Sequence, residues 1–396
     1  MLSPEANLTW VTQAMSQSIY FSLVSITSVL LIMCIYRSSI FRFLDEKDVI
    51  RRASGLDGLR YFLAIFVVLH HVDCFHSFFI NGKWGPSQYY LWAMGKYGVA
   101  LFFMTTAFLF WGKVRSKDNI DWASLYRGRF LRIVPMAIFA SLLAVISITM
   151  YSKNMEGFYF NFRNVIPWFD ASLFDFKPAF TNFKTPQVAM AGVTWSLKWE
   201  WMFYFLLPLL FVFRKRGFEF AIVLSAISFY IYPLISLKDA YIWSYFAFGI
   251  LSKELSERLV ISKKISNIMF VVSLSLLLFV EPGLFSVTGT PLLALMFLSV
   301  VSGADLFGLL TSTSARRLGT ISYSIYIMQG VILFPLFAAM HHYNMMNFTF
   351  ASAIISISFI TFLCVACSAT YILIERRFMH GISFVTLRTK NQKAPQ

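Results

Sequence analysis

The sequence predicts an all-α polytopic membrane protein with about eleven transmembrane helices. Hydrophobic residues make up 58% of the 396 residues and charged residues only 13%, and the mean hydropathy is +0.66. Soluble domains of this length do not have such a composition. The apolar residues form long unbroken runs rather than the alternating segments of about ten residues that are typical of transmembrane β-barrels. The chain is therefore expected to cross the bilayer as helices.

Each predicted helix corresponds to one apolar run, because a helix needs about 20 apolar residues to cross a hydrocarbon core about 30 Å thick. The run at 239–252 is the shortest. Residues 1–17 contain no Lys or Arg, so the first run is predicted to be a retained span rather than a signal peptide. The predicted spans are 18–36, 57–80, 90–112, 131–151, 194–213, 217–236, 239–252, 265–281, 288–310, 319–340 and 349–375.

The basic residues predict the topology of these spans. Of the 34 Lys and Arg, 26 fall in one set of connections and the remaining 8 fall in the opposite set. Because Lys and Arg accumulate in cytoplasmic loops, the first set faces the cytoplasm, the N-terminus lies outside and the C-terminus lies inside. The same short clusters explain the net charge of +15 without a nucleic-acid partner, and none is expected.

The chain divides into three predicted segments. Residues 1–50 hold an extra N-terminal span and a cytoplasmic linker, residues 51–385 form one transmembrane domain, and residues 386–396 form a polar tail that is expected to be disordered. The longest outward loop, 152–193, exceeds ordinary connections and is predicted to be functional or partly structured.

Ionisable residues inside the second predicted span are the first functional signal, since such residues are costly in a membrane and usually functional. Arg60 and His71 are eleven residues apart, which is about three helical turns, so they share one face about 16 Å apart. Neutral imidazole can accept a proton from an attacking hydroxyl, so His71 is a candidate general base. The alternative is a buried histidine that bonds a backbone carbonyl. His70 lies on a different face, and it could pair with Asp73.

A second candidate lies at the start of the fifth span. Glu200 is about 9 Å into the helix from Thr194, and Ser196 shares its face. A carboxylate at that depth needs a partner. Contact with His71 would fix the imidazole tautomer, as in hydrolase triads. The alternative is an ion pair with Lys198 or Lys96.

The third candidate is a basic cluster at the cytoplasmic boundary. Arg129 and Arg132 share one face of the fourth span. Together with Arg60 and Lys113 they could bind the phosphates of a nucleotide-like donor. The simpler interpretation is an ordinary positively charged membrane anchor.

Weaker signals complete the set of candidate residues. Asp57 is predicted to cap the second span or to pair with Arg60, and Gln329 is a polar residue in mid-helix that packing does not explain. Glu375 is most simply a local partner of the arginines beside it. The cysteines are interpreted as packing residues. No ligand set has convincing metal-binding spacing, so no metal is expected.

Three ordered motifs carry a family resemblance. The first is residues 56–60 followed by His71, the second is Arg129 and Arg132 before a Val-Pro dipeptide, and the third is Trp195, Ser196 and Glu200. Two later segments, residues 323–326 and Ile374-Glu375, also match the family pattern. In this order, from about 52 to 380, the chain resembles the acyltransferase-3 family of membrane O-acyltransferases. The resemblance implies a ten-helix core, an acyl-CoA donor from the cytoplasm and an acceptor modified on the outer side.

The resemblance also implies roles for single residues. It makes Arg60, Arg129 and Arg132 donor-binding residues and His71, Ser196 and Glu200 catalytic ones, with Trp195 and Tyr323 as supporting residues of the motifs. This chain departs from the family pattern at two places. Thr106-Ala107 stands where Ser-Gly is frequent, and Gln329 stands where a histidine is usual.

These observations together predict an O-acyltransferase of a bacterial inner membrane, with a periplasmic N-terminus and a cytoplasmic C-terminus. We expect it to move an acetyl group from cytoplasmic acetyl-CoA to a surface polysaccharide, such as the O-antigen of lipopolysaccharide. A membrane lipid, peptidoglycan or a small glucan are alternative acceptors. A transporter or flippase with a proton path through Arg60, His71 and Glu200 is the alternative from a different class.

Overall fold

The computed structural model describes residues 4–45, 54–231, 241–280 and 288–379, and every regular element in these ranges is helical. The predicted polar tail 386–396 lies outside the described residues. The helices are α1 Pro4–Ile35, α2 Ser54–Asn81, α3 Tyr89–Arg115, α4 Trp122–Lys153, α5 Phe162–Val165, α6 Thr194–Val212, α7 Gly217–Ile231, α8 Ile242–Arg258, α9 Lys263–Leu277, α10 Gly289–Val301, α11 Thr313–Thr320, α12 Ser322–His342 and α13 Phe350–Thr370.

The fold is that of a polytopic helical membrane protein, but the count of eleven spans is not confirmed. Six helices of the described chain are long and apolar enough to cross a membrane, or up to seven if α6 and α7, bent by 80° at their junction, form one span. These six are α1, α2, α3, α4, α12 and α13 with its continuation to Met379. The bend between α6 and α7 falls at the basic cluster Arg214–Arg216.

The remaining predicted spans correspond to shorter or more polar helices. The span predicted at 239–252 matches α8, whose last two turns carry Lys253, Glu254, Glu257 and Arg258. The span predicted at 265–281 matches α9, which has 15 residues and begins with two lysines. At 1.5 Å per residue, such a helix reaches only about 22 Å, less than a hydrocarbon core of about 30 Å.

Helix α2 is the centre of the bundle. Of its most apolar window, 78% is buried, more than in any other candidate span of the described chain. It packs against α3, α11 and α12. A Cβ atom on Gly58 would lie 1.9 Å from the carbonyl oxygen of Leu310, so only glycine allows the backbones to approach this closely. This contact fixes the Arg60 end of α2 in the core.

The additional N-terminal helix α1 is docked on the core. The Tyr36 hydroxyl donates to the carbonyl of Cys364 at 2.7 Å, and Tyr20 and Ser356 share a hydroxyl–hydroxyl bond of 3.1 Å. Arg317 donates to the carbonyls of Tyr36 and Ser38 after α1. It also binds both carboxylate oxygens of Asp45, at 2.8 and 2.9 Å, and this guanidinium lowers the pKa of Asp45.

The long connection between α4 and α6 is structured, as its length predicted. The Asn161 amide donates to the carbonyl of Phe180 at 2.8 Å, and the Trp168 indole donates to the carbonyl of Pro178 at 3.0 Å. The turn Pro186–Met190 then packs against the middle of α12. A Cβ atom on Gly330 would lie 2.2 Å from the Met190 carbonyl carbon, so this loop enters the helical core.

Candidate active site

An arginine-lined cavity of about 110 Å³ lies between α2, α3, α4, α6 and α12. Arg60, Arg129 and Arg132 reach it from two helices, and Glu200 faces it from a third. Ser196, Tyr204, Ser322, Tyr323 and Tyr326 supply further polar atoms to its wall, and Phe102, Phe103 and Phe110 are among its apolar lining residues. The structure thus brings together six of the residues that the sequence nominated: Arg60, Arg129, Arg132, Ser196, Glu200 and Tyr323.

The three arginines have different partners. Arg60 lies 3.9 Å from the Asp57 carboxylate one turn earlier, which confirms the predicted pair. The Arg129 guanidinium lies over the Phe110 ring, 4.9 Å from its centroid. Arg132 forms an ion pair of 3.7 Å with Glu375. Arg60 has only this long contact with a carboxylate, and Arg129 packs on a ring. The charges of these two arginines are therefore only partly balanced by nearby carboxylates, and the cavity can attract an anionic group.

Glu375 has a different role from the predicted local pair with its neighbouring arginines. It ends the π-helical turn Tyr371–Glu375 that continues α13, is 1% exposed, and accepts a hydrogen bond from the Ser324 hydroxyl at 3.0 Å. A π-turn inserts one extra residue and rotates the following side chains. Here the rotation directs the carboxylate inward to Arg132. No sequence pattern predicted this π-helical turn.

Lys113 is separate from the arginine group with which it was predicted. It lies in the last turn of α3, outside the residues that line the cavity. The three arginines come from the first turns of α2 and the first half of α4, whereas Lys113 follows Phe110 by almost one turn. The sequence predicts that Lys113 joins the arginine group, whereas the structure does not place it in the wall of this cavity.

The predicted contact between Glu200 and His71 is also wrong. The Glu200 carboxylate accepts a hydrogen bond from the Tyr204 hydroxyl one turn later in the same helix. Helix α6 packs against α3 rather than lying beside α2, so Glu200 faces the arginines. Pro208 has no amide hydrogen to bond the Tyr204 carbonyl, and the Tyr126 hydroxyl donates to that carbonyl instead, at 3.3 Å.

Gln329 is the partner that orients His71. Its side-chain oxygen lies 3.0 Å from Nδ1 of His71, while its Nε2 donates to the Tyr326 carbonyl at 2.8 Å. Because the amide nitrogen is committed to a carbonyl, the amide oxygen faces the ring, and Nδ1 must carry the proton. In neutral imidazole the lone pair then lies on Nε2. His71 is thus held in the tautomer that a general base or nucleophile requires.

Tyr326 connects the surroundings of His71 with the cavity. Its carbonyl holds Gln329, its ring lines the cavity, and its hydroxyl bonds Ser196 at 2.7 Å. His71 is not itself among the lining residues of the cavity. The Phe102 ring meets Tyr326 edge-on, with centroids 5.8 Å apart. Tyr326 therefore contacts both the arginine cavity and, through Gln329, the partner of the imidazole.

The other predicted residues have mainly structural contacts. The Tyr323 hydroxyl donates to the carbonyl of Ile133 at 3.0 Å, and the Trp195 ring packs edge-on against Phe103. Nδ1 of His70 lies 3.1 Å from the Leu91 carbonyl. Asp73 instead accepts hydrogen bonds from Ser87 and the Gln88 amide, so the two do not form the predicted pair.

Replacing Gln329 with Leu is expected to lower kcat about 10- to 100-fold with little change in KM, because the Nδ1 proton of His71 loses its acceptor. Gln329→Glu should retain much of the rate, since a carboxylate also accepts from Nδ1. Steady-state kinetics measures kcat and KM separately and would show a lower kcat at a nearly unchanged KM. Gln187→Leu is a matched control at an exposed position. Equal rates for wild type and the Leu variant would contradict this role.

These features define a polytopic helical membrane protein with an arginine-lined cavity and a buried, oriented imidazole. A family model described as "Acyltransferase domain" matches residues 54–372. The chain belongs to this family, the acyltransferase-3 family. It is a multi-pass membrane protein.

One curated relative is the "Acyltransferase MdmB" of Streptomyces mycarofaciens. It is 26% identical to this chain over 165 residues, which cover 40% of this chain and 39% of the relative. The chain therefore aligns with about two fifths of that protein's length. No solved structure matches the chain.

Proposed function

We propose that this protein transfers an acetyl group from cytoplasmic acetyl-CoA to a hydroxyl of a cell-surface polysaccharide, such as the O-antigen of lipopolysaccharide, on the outer side of a bacterial inner membrane. Family membership supports acyl transfer and favours it over the transporter or flippase interpretation. The observation that carries the proposal is one helix, α2. It presents Arg60 to a cavity with two further arginines and, about 16 Å further on, an oriented imidazole.

The arginine cavity is the proposed binding site for the phosphates of CoA. Guanidinium groups form paired, charge-assisted hydrogen bonds with phosphate oxygens, and burial strengthens these interactions. Arg129 and Arg132 from α4 and Arg60 from α2 all line this cavity. The pantetheine arm is long enough to extend from this site along α2. It must extend beyond the cavity to bring the thioester to His71, because His71 is not among the lining residues.

His71 is the proposed catalytic base or nucleophile. In direct transfer, Nε2 takes the proton from the acceptor hydroxyl while its oxygen attacks the thioester carbonyl. The carbon–sulfur bond breaks, and the proton passes to the departing CoA thiolate. In the two-step alternative, Nε2 attacks the thioester carbonyl, the carbon–sulfur bond breaks, and CoA leaves as its thiolate. The acceptor oxygen then attacks the acetyl carbon, the carbon–nitrogen bond breaks, and the hydroxyl proton passes through the imidazole to the thiolate. Ser196 is a proposed oxyanion donor, for which its hydroxyl must release the Val193 carbonyl to which it donates at 3.0 Å. Glu200 is proposed to tune the charge of the cavity.

The acceptor and the acyl group are tested in cells. We expect the surface polysaccharide of cells that express the protein to carry added mass of 42 Da per modified sugar, the mass difference for replacing a hydroxyl hydrogen with acetyl, and His71→Ala cells to lack it. Mass spectrometry of the polysaccharide, of lipids and of peptidoglycan fragments compares the candidate acceptors in one experiment. Added acetyl confined to lipid or peptidoglycan would contradict the polysaccharide assignment and leave acyl transfer intact.

A further inference from the structure

Trp84 lies directly beside the proposed base, in the connection between α2 and α3. Its indole is stacked on the His71 ring with centroids 5.9 Å apart and an angle of 20° between the planes. Phe75 and Phe78 meet the same indole edge-on, at 5.1 and 6.2 Å. Trp84 nevertheless remains 38% exposed. Part of this residue therefore stays open to a ligand while its ring packs against the imidazole.

The connection that carries Trp84 is fixed by a buried acid that the proposed reaction does not use. Asp73 is 0% exposed and lies two residues after His71 on α2. Its carboxylate accepts hydrogen bonds from the Ser87 amide at 2.8 Å, the Ser87 hydroxyl at 2.7 Å and the Gln88 amide at 2.8 Å. Gln88 is also the residue before the first turn of α3. Asp73 therefore folds the connection back onto α2 and holds Trp84 over His71.

An exposed tryptophan face beside a base is suited to bind a sugar ring. The face of an aromatic ring carries partial negative charge and attracts the polarised C–H groups on one side of a pyranose. A sugar bound at the exposed part of this ring carries hydroxyls at its rim, close to the imidazole that packs against the same indole. The alternative occupant, the acyl donor, has its charged end at the arginines, near the opposite end of α2.

We propose that Trp84 is an acceptor-binding residue that stacks a pyranose ring, with Asp73 as the positioning residue of its loop. This inference rests on the proposed function and specifies its acceptor as a ring-shaped sugar rather than a flexible alcohol. It assigns Trp84 to substrate specificity and leaves donor binding to the arginine cavity.

The experiment compares acceptors of different shape, using the full chain in lipid nanodiscs with labelled acetyl-CoA. The probes are the methyl α-pyranosides of glucose, mannose and galactose, with glycerol as an alcohol without a ring. Trp84→Ala should raise KM for the best pyranoside about fivefold to tenfold, a larger effect than on transfer to glycerol, with KM for acetyl-CoA within about twofold of wild type. Trp84→Phe should lie between the two, and Asp73→Asn should change KM in the same direction.

The matched control is Trp92→Ala, because Trp92 lies on α3 beside Lys96. An equal loss of pyranoside and glycerol transfer in Trp84→Ala would overturn the inference, because Trp84 would then only support His71. An unchanged pyranoside KM in Trp84→Ala, or a wild type that acylates glycerol but none of the pyranosides, would also overturn it. A wild type that releases no CoA and acylates no probe would instead contradict the proposed function itself.

Discussion

His71→Ala is expected to reduce acyl transfer about 10²- to 10⁴-fold, which is the usual contribution of a positioned general base. The expectation follows from the Gln329 bond, which places the proton on Nδ1 and the lone pair on Nε2. The measurement is the initial rate of CoA release and of label transfer by the purified variant, with size-exclusion elution as a test of folding.

His70→Ala is the matched control for this prediction. His70 is adjacent in sequence and nearly as buried in the bundle, yet its ring bonds the Leu91 carbonyl and supports the packing of α3 on α2. We expect it to lower protein stability and to leave the rate per folded molecule within about tenfold of wild type. Equal loss of rate in both variants would contradict the assignment of His71 as the base.

Arg129→Gln is expected to raise KM for acetyl-CoA about 10- to 100-fold, since it removes a charge-assisted contact to a phosphate. The effect on kcat at saturating donor should be small.

Arg132 needs a different design, because its loss would leave the buried Glu375 carboxylate without its ion pair. The double variant Arg132→Gln/Glu375→Gln avoids this charge and should show a similar rise in KM.

Lys113→Gln is the control for donor binding. Lys113 lies in the last turn of α3, close in sequence to Phe110 of the cavity wall but not part of that wall. KM for acetyl-CoA should therefore remain within about twofold of wild type. A variant of Lys113 that weakens donor binding as much as Arg129→Gln would show that the phosphates bind outside the arginine cavity.

Much of the site could be predicted from spacing within single helices. The positions of Arg60 and His71 on α2 and of Arg129 and Arg132 on α4 follow from helical periodicity alone. The pair of Asp57 and Arg60 follows from the same rule. Periodicity shows which side chains share a face of one helix. It does not show which other helix that face contacts.

The partners between helices could not be predicted for this reason. The sequence predicts a pair of Glu200 and His71. In the structure α6 packs on α3, and this carboxylate faces the arginine cavity instead. Gln329 was an unexplained polar residue, and only the packing of α12 on α2 shows its contact with Nδ1. Trp84 gave no signal in the sequence, because it becomes notable only when Asp73 folds its loop over His71.

The predicted count of eleven spans is not confirmed, and this too has a physical reason. Apolar runs at 239–252 and 265–281 met the hydropathy criterion in part, but α8 carries four charged residues in its last turns and α9 is too short. These charges serve contacts within the bundle: Glu254 is buried and bonds the Trp111 indole, Arg115 and Arg258. A hydropathy count scores such residues as polar and does not show that they are paired inside the bundle.

The most direct test of the account is label transfer by the purified full chain. With acetyl-CoA labelled in the acetyl group, wild-type protein in nanodiscs should release CoA and place the label on a glycan acceptor or, without acceptor, on the protein or in free acetate. His71→Ala should do neither. Intact acetyl-CoA and unlabelled acceptor after incubation with folded wild-type protein would contradict the central claim that this imidazole transfers an acyl group.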